Sequence, residues 1–248
     1  ITKLLLAENN KTIDITFNEK VFGTNDANSA IDSSVFNLSI SGGLAKLSQV
    51  KPLSISAKDS TTYTITLPLT GTPDGSEIVT ISIETQSVFD ASGSEAAKTQ
   101  AINKVTLNDL SAPLIVSTKL DSDNSKVTVL FNVTVFGTPK NTGDLEADDF
   151  ALSIAGGSAT LKSATPSKIS TSNNAKQYEL DFDLSGEADG AEKLTISPVS
   201  NGIFDSAANA ASSTQGNNTV NLFDKRAPLI TSTKLTTSND TLTVVFNE

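Results

Sequence analysis

Residues 112–120 read Ala-Pro-Leu-Ile-Val-Ser-Thr-Lys-Leu, and residues 227–235 read Ala-Pro-Leu-Ile-Thr-Ser-Thr-Lys-Leu. The two stretches differ at one position of nine and lie 115 residues apart. Self-similarity at a fixed spacing is the signature of a repeat protein, so the chain is predicted to contain copies of one folding unit. Further matches at an offset of 114 or 115 residues include Phe17-Asn18 with Phe131-Asn132, and Asp74-Gly75 with Asp189-Gly190.

This spacing divides the chain into two repeats and the beginning of a third. Residues 1–111 form a first repeat that lacks its opening residues, residues 112–226 form a second repeat, and residues 227–248 carry the first strands of a truncated third. The chain has no methionine and begins at Ile1, so we expect it to be part of a longer protein. Residues 229–248 are expected to belong to a longer array, or else to be completed by strands from another chain.

Within each repeat, apolar residues alternate with polar ones, as half-buried strands require. Residues 178–184 alternate Tyr, Leu, Phe and Leu with Glu and Asp, and residues 63–69 show the same period. Gly-Gly and Asp-Gly pairs between such runs supply turns. About seven short strands in about 115 residues predict an all-β fold of tandem immunoglobulin-like β-sandwich repeats. The only helix expected is a single turn capped by Asp148 or Asp149.

Five motifs follow one another in the repeats. They are Ala-Pro-x-Ile at 112–115, Phe-Asn-Glu-x-Val at 17–21, Phe-x-Leu-x-Ile-x-Gly-Gly at 36–43, Pro-Asp-Gly-Ser-Glu at 73–77 and Val-Phe-Asp-Ala-Ser-Gly at 88–93. Together they resemble the bacterial immunoglobulin-like (Big-type) tandem repeats of large secreted or surface adhesins. The resemblance implies an extracellular or cell-surface location, with neighbouring repeats of the same protein as partners. Val133 stands where the first repeat has Glu19, so any role of that glutamate is expected only in the first copy.

Composition argues against catalysis. The chain has no cysteine or histidine, which excludes disulfides, thiolate and imidazole metal ligands and histidine-dependent triads. Serine and threonine therefore have no evident general base. The carboxylate pair Asp181 and Asp183 has no counterpart in the first repeat, where Thr66 and Pro68 stand. We predict that the protein is not an enzyme.

Charge and hydropathy exclude two further classes of partner. Lys and Arg total 18 against 28 Asp and Glu, a net charge of −10. Binding to nucleic acid depends on neutralising phosphates and needs the opposite balance. No run of 18 or more apolar residues exists, so no membrane insertion is expected in this segment. A chain rich in Ser, Thr, Asn and Asp suits an extracellular β-repeat.

Calcium is the cofactor that the sequence leaves open. The segment 107–113 is similar to the calcium-binding linker of cadherins, in which an Asn-Asp pair precedes Ala-Pro. Calcium takes carboxylate and carbonyl oxygens, and three acidic residues are expected to meet at one pole of the first repeat. Lys225 and Arg226 would oppose a cation at the second junction. The alternative is that each aspartate caps its own turn. The candidate ligands for Ca²⁺ at the repeat junctions are Glu19, Asp90 and Asp109 in the first repeat, and Asp205 and Asp224 in the second.

Besides an accessory region of an enzyme, which only flanking sequence could show, three functions are compatible with this sequence. The first is a non-catalytic stalk or filament segment of a bacterial cell-surface adhesin or secreted fibre. The second is an immunoglobulin-like module that binds a glycan or host protein. The third is an S-layer or sheath protein that self-assembles. The partners expected are neighbouring repeats, and beyond them a homopolymeric filament or a cell-surface or glycan ligand.

Overall fold

The computed structural model describes residues 1–172 and 175–247 and is almost entirely antiparallel β-structure. The chain forms two compact units, Ile1–Ser111 and Ala112–Glu248. The all-β fold predicted from the alternation is confirmed, and the sheets are consistent with a β-sandwich. That the two units are repeats of one tandem array stays a prediction.

The first unit contains two larger sheets and one small sheet. The larger ones have the strand orders β1-β2-β6-β5 and β3-β8-β9, and β4 pairs with β7. A short 3-10 turn, Ser33–Val35, precedes β3. The strands are β1 (Lys3–Leu6), β2 (Thr12–Thr16), β3 (Phe36–Ser41), β4 (Lys46–Leu47), β5 (Ser54–Ala57), β6 (Thr62–Thr66), β7 (Leu69–Thr70), β8 (Ile78–Ile83) and β9 (Lys104–Thr106).

The second unit has the same order of elements. Its sheets are β10-β11-β15-β14, β12-β17-β18 and β13-β16, and a separate hairpin, β19-β20, follows them. The strands are β10 (Ile115–Leu120), β11 (Lys126–Phe131), β12 (Phe150–Ala155), β13 (Thr160–Leu161), β14 (Lys168–Ser172), β15 (Gln177–Asp181), β16 (Leu184–Ser185), β17 (Lys193–Pro198), β18 (Thr219–Asn221), β19 (Ile230–Leu235) and β20 (Leu242–Phe246).

Each unit has its own core, built from the inward residues of both larger sheets. In the second unit Val127 and Val129 come from β11, Leu180 from β15, and Leu194 and Ile196 from β17, and all five are fully buried. The first unit has the equivalent set, in which Ile13, Ile15, Ile65, Val79 and Ile81 are fully buried. Removal of these side chains from water is the main favourable contribution to folding.

The single helical turn expected near Asp148 and Asp149 is present. Residues Ala147–Asp149 form a 3-10 turn, and the carboxylate of Asp149 accepts a hydrogen bond from the N–H of Glu146 at 2.8 Å. Asp149 is partly desolvated, and burial raises its pKa. The turn leads directly into β12, which begins at Phe150.

The structure divides one predicted strand into two. Alternation predicted a continuous strand from Tyr63 to Leu69, but β6 ends at Thr66 and β7 joins a different sheet. Pro68 lacks an N–H and favours a break. The second unit nevertheless breaks at the equivalent place, before Leu184, and has no proline there. The break therefore belongs to the fold. In the described part of the chain the first unit has nine strands, and the second has nine besides the hairpin β19-β20, instead of about seven.

Candidate functional site

The acidic residues proposed as calcium ligands in the first unit lie at different places. Glu19 and Asp90 line one cavity of about 280 Å³. Asp90 accepts the N–H groups of Ser92 and Ser94 at 2.8 and 2.9 Å. These hydrogen bonds lower the pKa of Asp90, and the bond from the backbone of Ser94 has the largest effect.

Asp109 does not join this pair. It accepts the N–H of Ser111 at 2.8 Å, and its Cβ lies beside Gly75. No group of three or more acidic residues that could hold a metal ion occurs in the described part of the chain. The expected meeting of Glu19, Asp90 and Asp109 at one pole is therefore wrong, because the loop of Asp109 is held beside the Asp74-Gly75 turn.

In the second unit both candidate ligands are used within their own turns. Asp205 is buried and accepts the N–H groups of Ala207 and Asn209 at 2.9 and 2.8 Å. Asp224 accepts the N–H of Arg226 at 2.9 Å. Such hydrogen bonds from a side chain to nearby backbone N–H groups are those expected if each aspartate caps its own turn. Calcium binding at any of the five acidic residues stays a prediction.

A buried glutamate in each unit was missed as a site by the sequence interpretation. Glu192 is fully buried, and its Oε1 accepts the N–H groups of Ser158 and Ala159, each at 2.8 Å. Its Oε2 accepts the N–H groups of Asp189 and Gly190, each at 3.1 Å. Burial alone would raise the pKa of Glu192, but the backbone donors outweigh it and the pKa is lowered.

Glu77 makes three of the four corresponding contacts in the first unit. It is fully buried and accepts the N–H groups of Leu44 and Ala45, each at 2.8 Å. It also accepts the N–H of Asp74, at 3.1 Å to Oε2. We call Glu77, Glu192 and their backbone donors the carboxylate sites. Each one joins the turn after β3 or β12 to the turn before β8 or β17.

The glycines of the sequence motif make room for these carboxylates. Gly157 has a φ of +61°, and a Cβ there would lie 2.1 Å from the Cδ of Glu192. Gly43 has a φ of +52° and the same relation to Glu77. Only glycine fits both the backbone angle and the space. The sequence signal for these sites is thus the joint recurrence of Gly-Gly and a glutamate in both units.

A buried asparagine forms a second polar contact in each unit. In the first, Asn10 Nδ2 donates to the carbonyl of Asn108 at 2.8 Å, and Asn10 Oδ1 accepts the N–H of Asn108 at 2.9 Å. In the second, Asn124 bonds in the same way to the carbonyl and N–H of Phe223, at 2.7 and 2.9 Å. We call this pair of bonds the asparagine clamp. It holds the first hairpin of a unit to the backbone that follows the last strand of the sandwich.

The clamp depends on an unusual backbone angle. Asn10 and Asn124 have φ values of 58° and 60°, in the left-handed region that asparagine tolerates better than most residues. A glutamine supplements the clamp at the other end of the first strand. Gln215 Oε1 accepts the N–H of Ile115 at 2.9 Å, and Gln100 accepts a hydrogen bond from the nitrogen of Ile1. The first strand of each unit is thus tied to the end of that unit.

Asn124→Ala is expected to lower the free energy of unfolding of the second unit by about 2 kcal/mol, because it removes both clamp bonds and places alanine at a positive φ. Asn124→Gly loses the clamp alone, since glycine adopts this angle freely, and is expected to cost less. Chemical denaturation measures both variants, and the unfolding of the first unit is the internal control. A cost for Asn124→Ala below about 0.5 kcal/mol, the range of surface substitutions, would contradict a role for the clamp.

The first unit also contains an apolar cavity of about 400 Å³. Its lining includes Leu53, Leu67, Leu69 and Leu110. The equivalent cavity of the second unit is smaller, about 260 Å³, and more polar. There Lys225 stands at the position of Leu110.

The fold and the recurring polar contacts define an all-β protein whose characteristic buried groups hold turns and strand ends in place. No family model matches the chain, and no curated protein matches it. Within residues 1–172 and 175–247, none of the helical segments has the length and apolar character needed to cross a bilayer.

Proposed function

We propose that the chain is a non-catalytic structural segment of a bacterial surface adhesin or secreted fibre. It is built from tandem immunoglobulin-like repeats: residues 1–111 without the opening residues of the first, residues 112–226, and the first strands of a third from residue 227. Its location is extracellular, and its nearest partners are neighbouring repeats of the same protein. Length in such a segment grows with copy number, because each repeat folds around its own core.

The recurrence of the asparagine clamp carries this proposal. Tension on a fibre enters each repeat at its first strand and leaves after its last strand. Asn124 bonds to the backbone at Phe223, and Gln215 bonds to the backbone at Ile115, so the two ends of the repeat are held by side chains of that repeat. Buried polar groups that recur in two copies with different loop sequences support a mechanical role over recognition.

Stretching single molecules of the full chain between its two ends tests the proposal. We expect two separate unfolding events, each releasing roughly 110 residues, or about 350–400 Å of extended chain. Asn124→Ala is expected to lower the force of one event and leave the other unchanged. A single event for the whole chain, or unfolding without measurable resistance, would count against a structural segment.

A ligand-binding module is the second candidate, and the cavity of the first repeat favours it. A volume of about 400 Å³ with an apolar lining lies in the range of small-molecule sites. Because Lys225 replaces Leu110 in the second repeat, recognition of an apolar group would belong to the first repeat alone. Leu110→Lys introduces the lysine of the second repeat into the cavity of the first. It is expected to abolish binding of an apolar ligand there without altering the force of unfolding.

A further inference from the structure

The hairpin β19-β20 repeats the geometry of the first hairpin of the second unit. In that unit Ile115 pairs with Phe131 and Leu120 with Val127, with an irregularity after Ile115. In the hairpin Ile230 pairs with Phe246 and Leu235 with Leu242, with the same irregularity after Ile230. The register and the irregularity place Leu242, Val244 and Phe246 on the face that Val127, Val129 and Phe131 occupy in β11.

The surroundings of the two hairpins are opposite. Val127, Val129 and Phe131 are at most 1 % exposed, whereas Leu242, Val244 and Phe246 are 59, 37 and 49 % exposed. On the paired strand, Ile115 and Leu120 are buried, while Ile230 and Leu235 are 60 and 52 % exposed. A contiguous apolar face of this kind marks an interaction site.

Asn239 occupies the clamp position of the hairpin. Its φ of 57° matches the angles of Asn10 and Asn124, and it lies 115 residues after Asn124. Asn239 is exposed, and only its backbone N–H forms a hydrogen bond among the described residues, to Thr236 at 3.0 Å. In the first unit the side chain of Asn108 also donates to Asn10, at 3.1 Å. The contact that both units share is with the N–H and carbonyl of residue 108 or 223, so the common requirement of the clamp is an extended backbone.

The outer edge of β20 is the second element of this surface. The corresponding edge of β11 pairs with β15, in which Val127 lies opposite Leu180 and Val129 opposite Tyr178. The strands that correspond to the missing partner of β20, β6 and β15, are each already bonded on both sides within their own sheets. The first unit already contains its own hairpin, β1-β2, so the hairpin of a second copy has no vacancy to enter.

We propose that the hairpin is the acceptor for the remaining strands of a third repeat, with residues 134–226 as the template of the partner sequence. One segment, with apolar residues at every second position like β15, pairs antiparallel with β20 and covers its apolar face. A later extended segment presents the N–H and carbonyl of one residue to Asn239. This inference rests on the proposed tandem-repeat function and identifies the partner of a specific surface.

A chain extended after Glu248 by a copy of residues 134–226 tests the inference, because Phe246-Asn247 corresponds to Phe131-Asn132 and places the join in register. We expect the backbone amides of residues 242–246 to exchange with solvent about a hundredfold more slowly, or slower still, than in the unextended chain. Leu242→Val in the extended chain introduces the residue that the second unit has at position 127. This variant shows whether fast exchange arises from a poor fit of Leu242 in the core or because the added strands do not cover the hairpin.

Asn239→Asp in the extended chain tests the clamp. Aspartate tolerates the same φ and keeps an acceptor but has no amide donor, so the exchange of residues 242–246 is expected to become about tenfold faster. Asn141→Asp is the matched control, because Asn141 has a φ of 57° and an exposed side chain in a loop of the second unit. It is expected to leave the exchange unchanged.

Two results would overturn the inference. Fast exchange at residues 242–246 in both extended chains, with Leu242 or with Val at that position, would mean that strands of a repeat do not cover the hairpin. Slow exchange in the unextended chain together with a dimeric mass by light scattering would assign the surface to a second copy. Both results leave the two unfolding events of the stretching experiment unaffected, so failure of this inference is distinct from failure of the proposed function.

Discussion

Phe131→Ala is expected to lower the free energy of unfolding of the second unit by about 3–5 kcal/mol, as for other fully buried aromatic side chains. Phe131 is 1 % exposed, and its ring centroid lies 6.4 Å from that of Phe150 and 6.3 Å from that of Tyr178. The truncation removes apolar area from the core and leaves a cavity between the two sheets. The pair with Tyr178 is edge-on, at 83° between ring planes, and contributes beyond the area that it buries.

Phe223→Ala provides the matched control for this large effect. Phe223 belongs to the same unit, but its side chain is 48 % exposed, and only its backbone takes part in the asparagine clamp. Its replacement is expected to cost less than about 1 kcal/mol. Urea denaturation of the full chain reports both units, and the first unit is expected to unfold as before. A cost below about 1 kcal/mol for Phe131→Ala would mean that the ring does not belong to a core.

Phe182→Ala is expected to act in the same range and on the same unit. Its side chain is 4 % exposed and lies just beyond β15, where the chain leaves one sheet for another. Phe131 and Phe182 lie at opposite ends of the β11-β15 pair, beside Lys176 and Ser125, so their effects are expected to add in the double variant.

Glu192→Gln is expected to lower the free energy of unfolding of the second unit by about 3 kcal/mol. The four N–H groups around Glu192 all donate, and the carboxylate accepts from each of them. An amide keeps one oxygen but directs its own N–H groups at backbone donors, which leaves buried groups without partners. Glu187→Gln is the matched control, since Glu187 is exposed in the same loop.

The carboxylate site also determines how stability depends on pH. The folded pKa of Glu192 is lower than its ordinary value of 4.5, so its contribution is complete above about pH 4.5 and is lost as the pH falls through the folded pKa. The second unit is therefore expected to lose stability below about pH 4.5, and Glu192→Gln is expected to reduce that slope. Denaturation curves between about pH 3 and pH 7 measure how the free energy of unfolding changes with pH. The same pH dependence in the variant would show that Glu192 titrates normally.

The alternation of apolar residues was sufficient to predict an all-β fold and much of its core. Every second position of residues 178–182 is buried, since successive side chains of a strand point to opposite faces. The same reasoning could not detect the break after Thr66 and Asp181. Period two continues across it, while the strand changes its sheet and its hydrogen-bonding partner.

The candidate sites were harder to predict because each depends on residues distant in sequence. In the sequence, Asp90 and Asp109 are both acidic residues near turns. The tertiary fold places Asp109 beside Gly75, whereas Asp90 lines a cavity together with Glu19. The asparagine clamp joins residues 98 or 99 positions apart, and no local pattern around Asn10 or Asn124 indicates which residue each one binds.

Local and periodic features follow from the amino-acid sequence: the spacing of 115 residues, the β-structure and the absence of thiol and imidazole chemistry. The tertiary structure alone decided which polar groups are buried and what they bind. Glu77 and Glu192 are charged residues within apparently hydrophilic turns, and only the folded backbone encloses them and directs several N–H groups at each carboxylate. A charge is stable in such a place because those donors replace the water that burial removes.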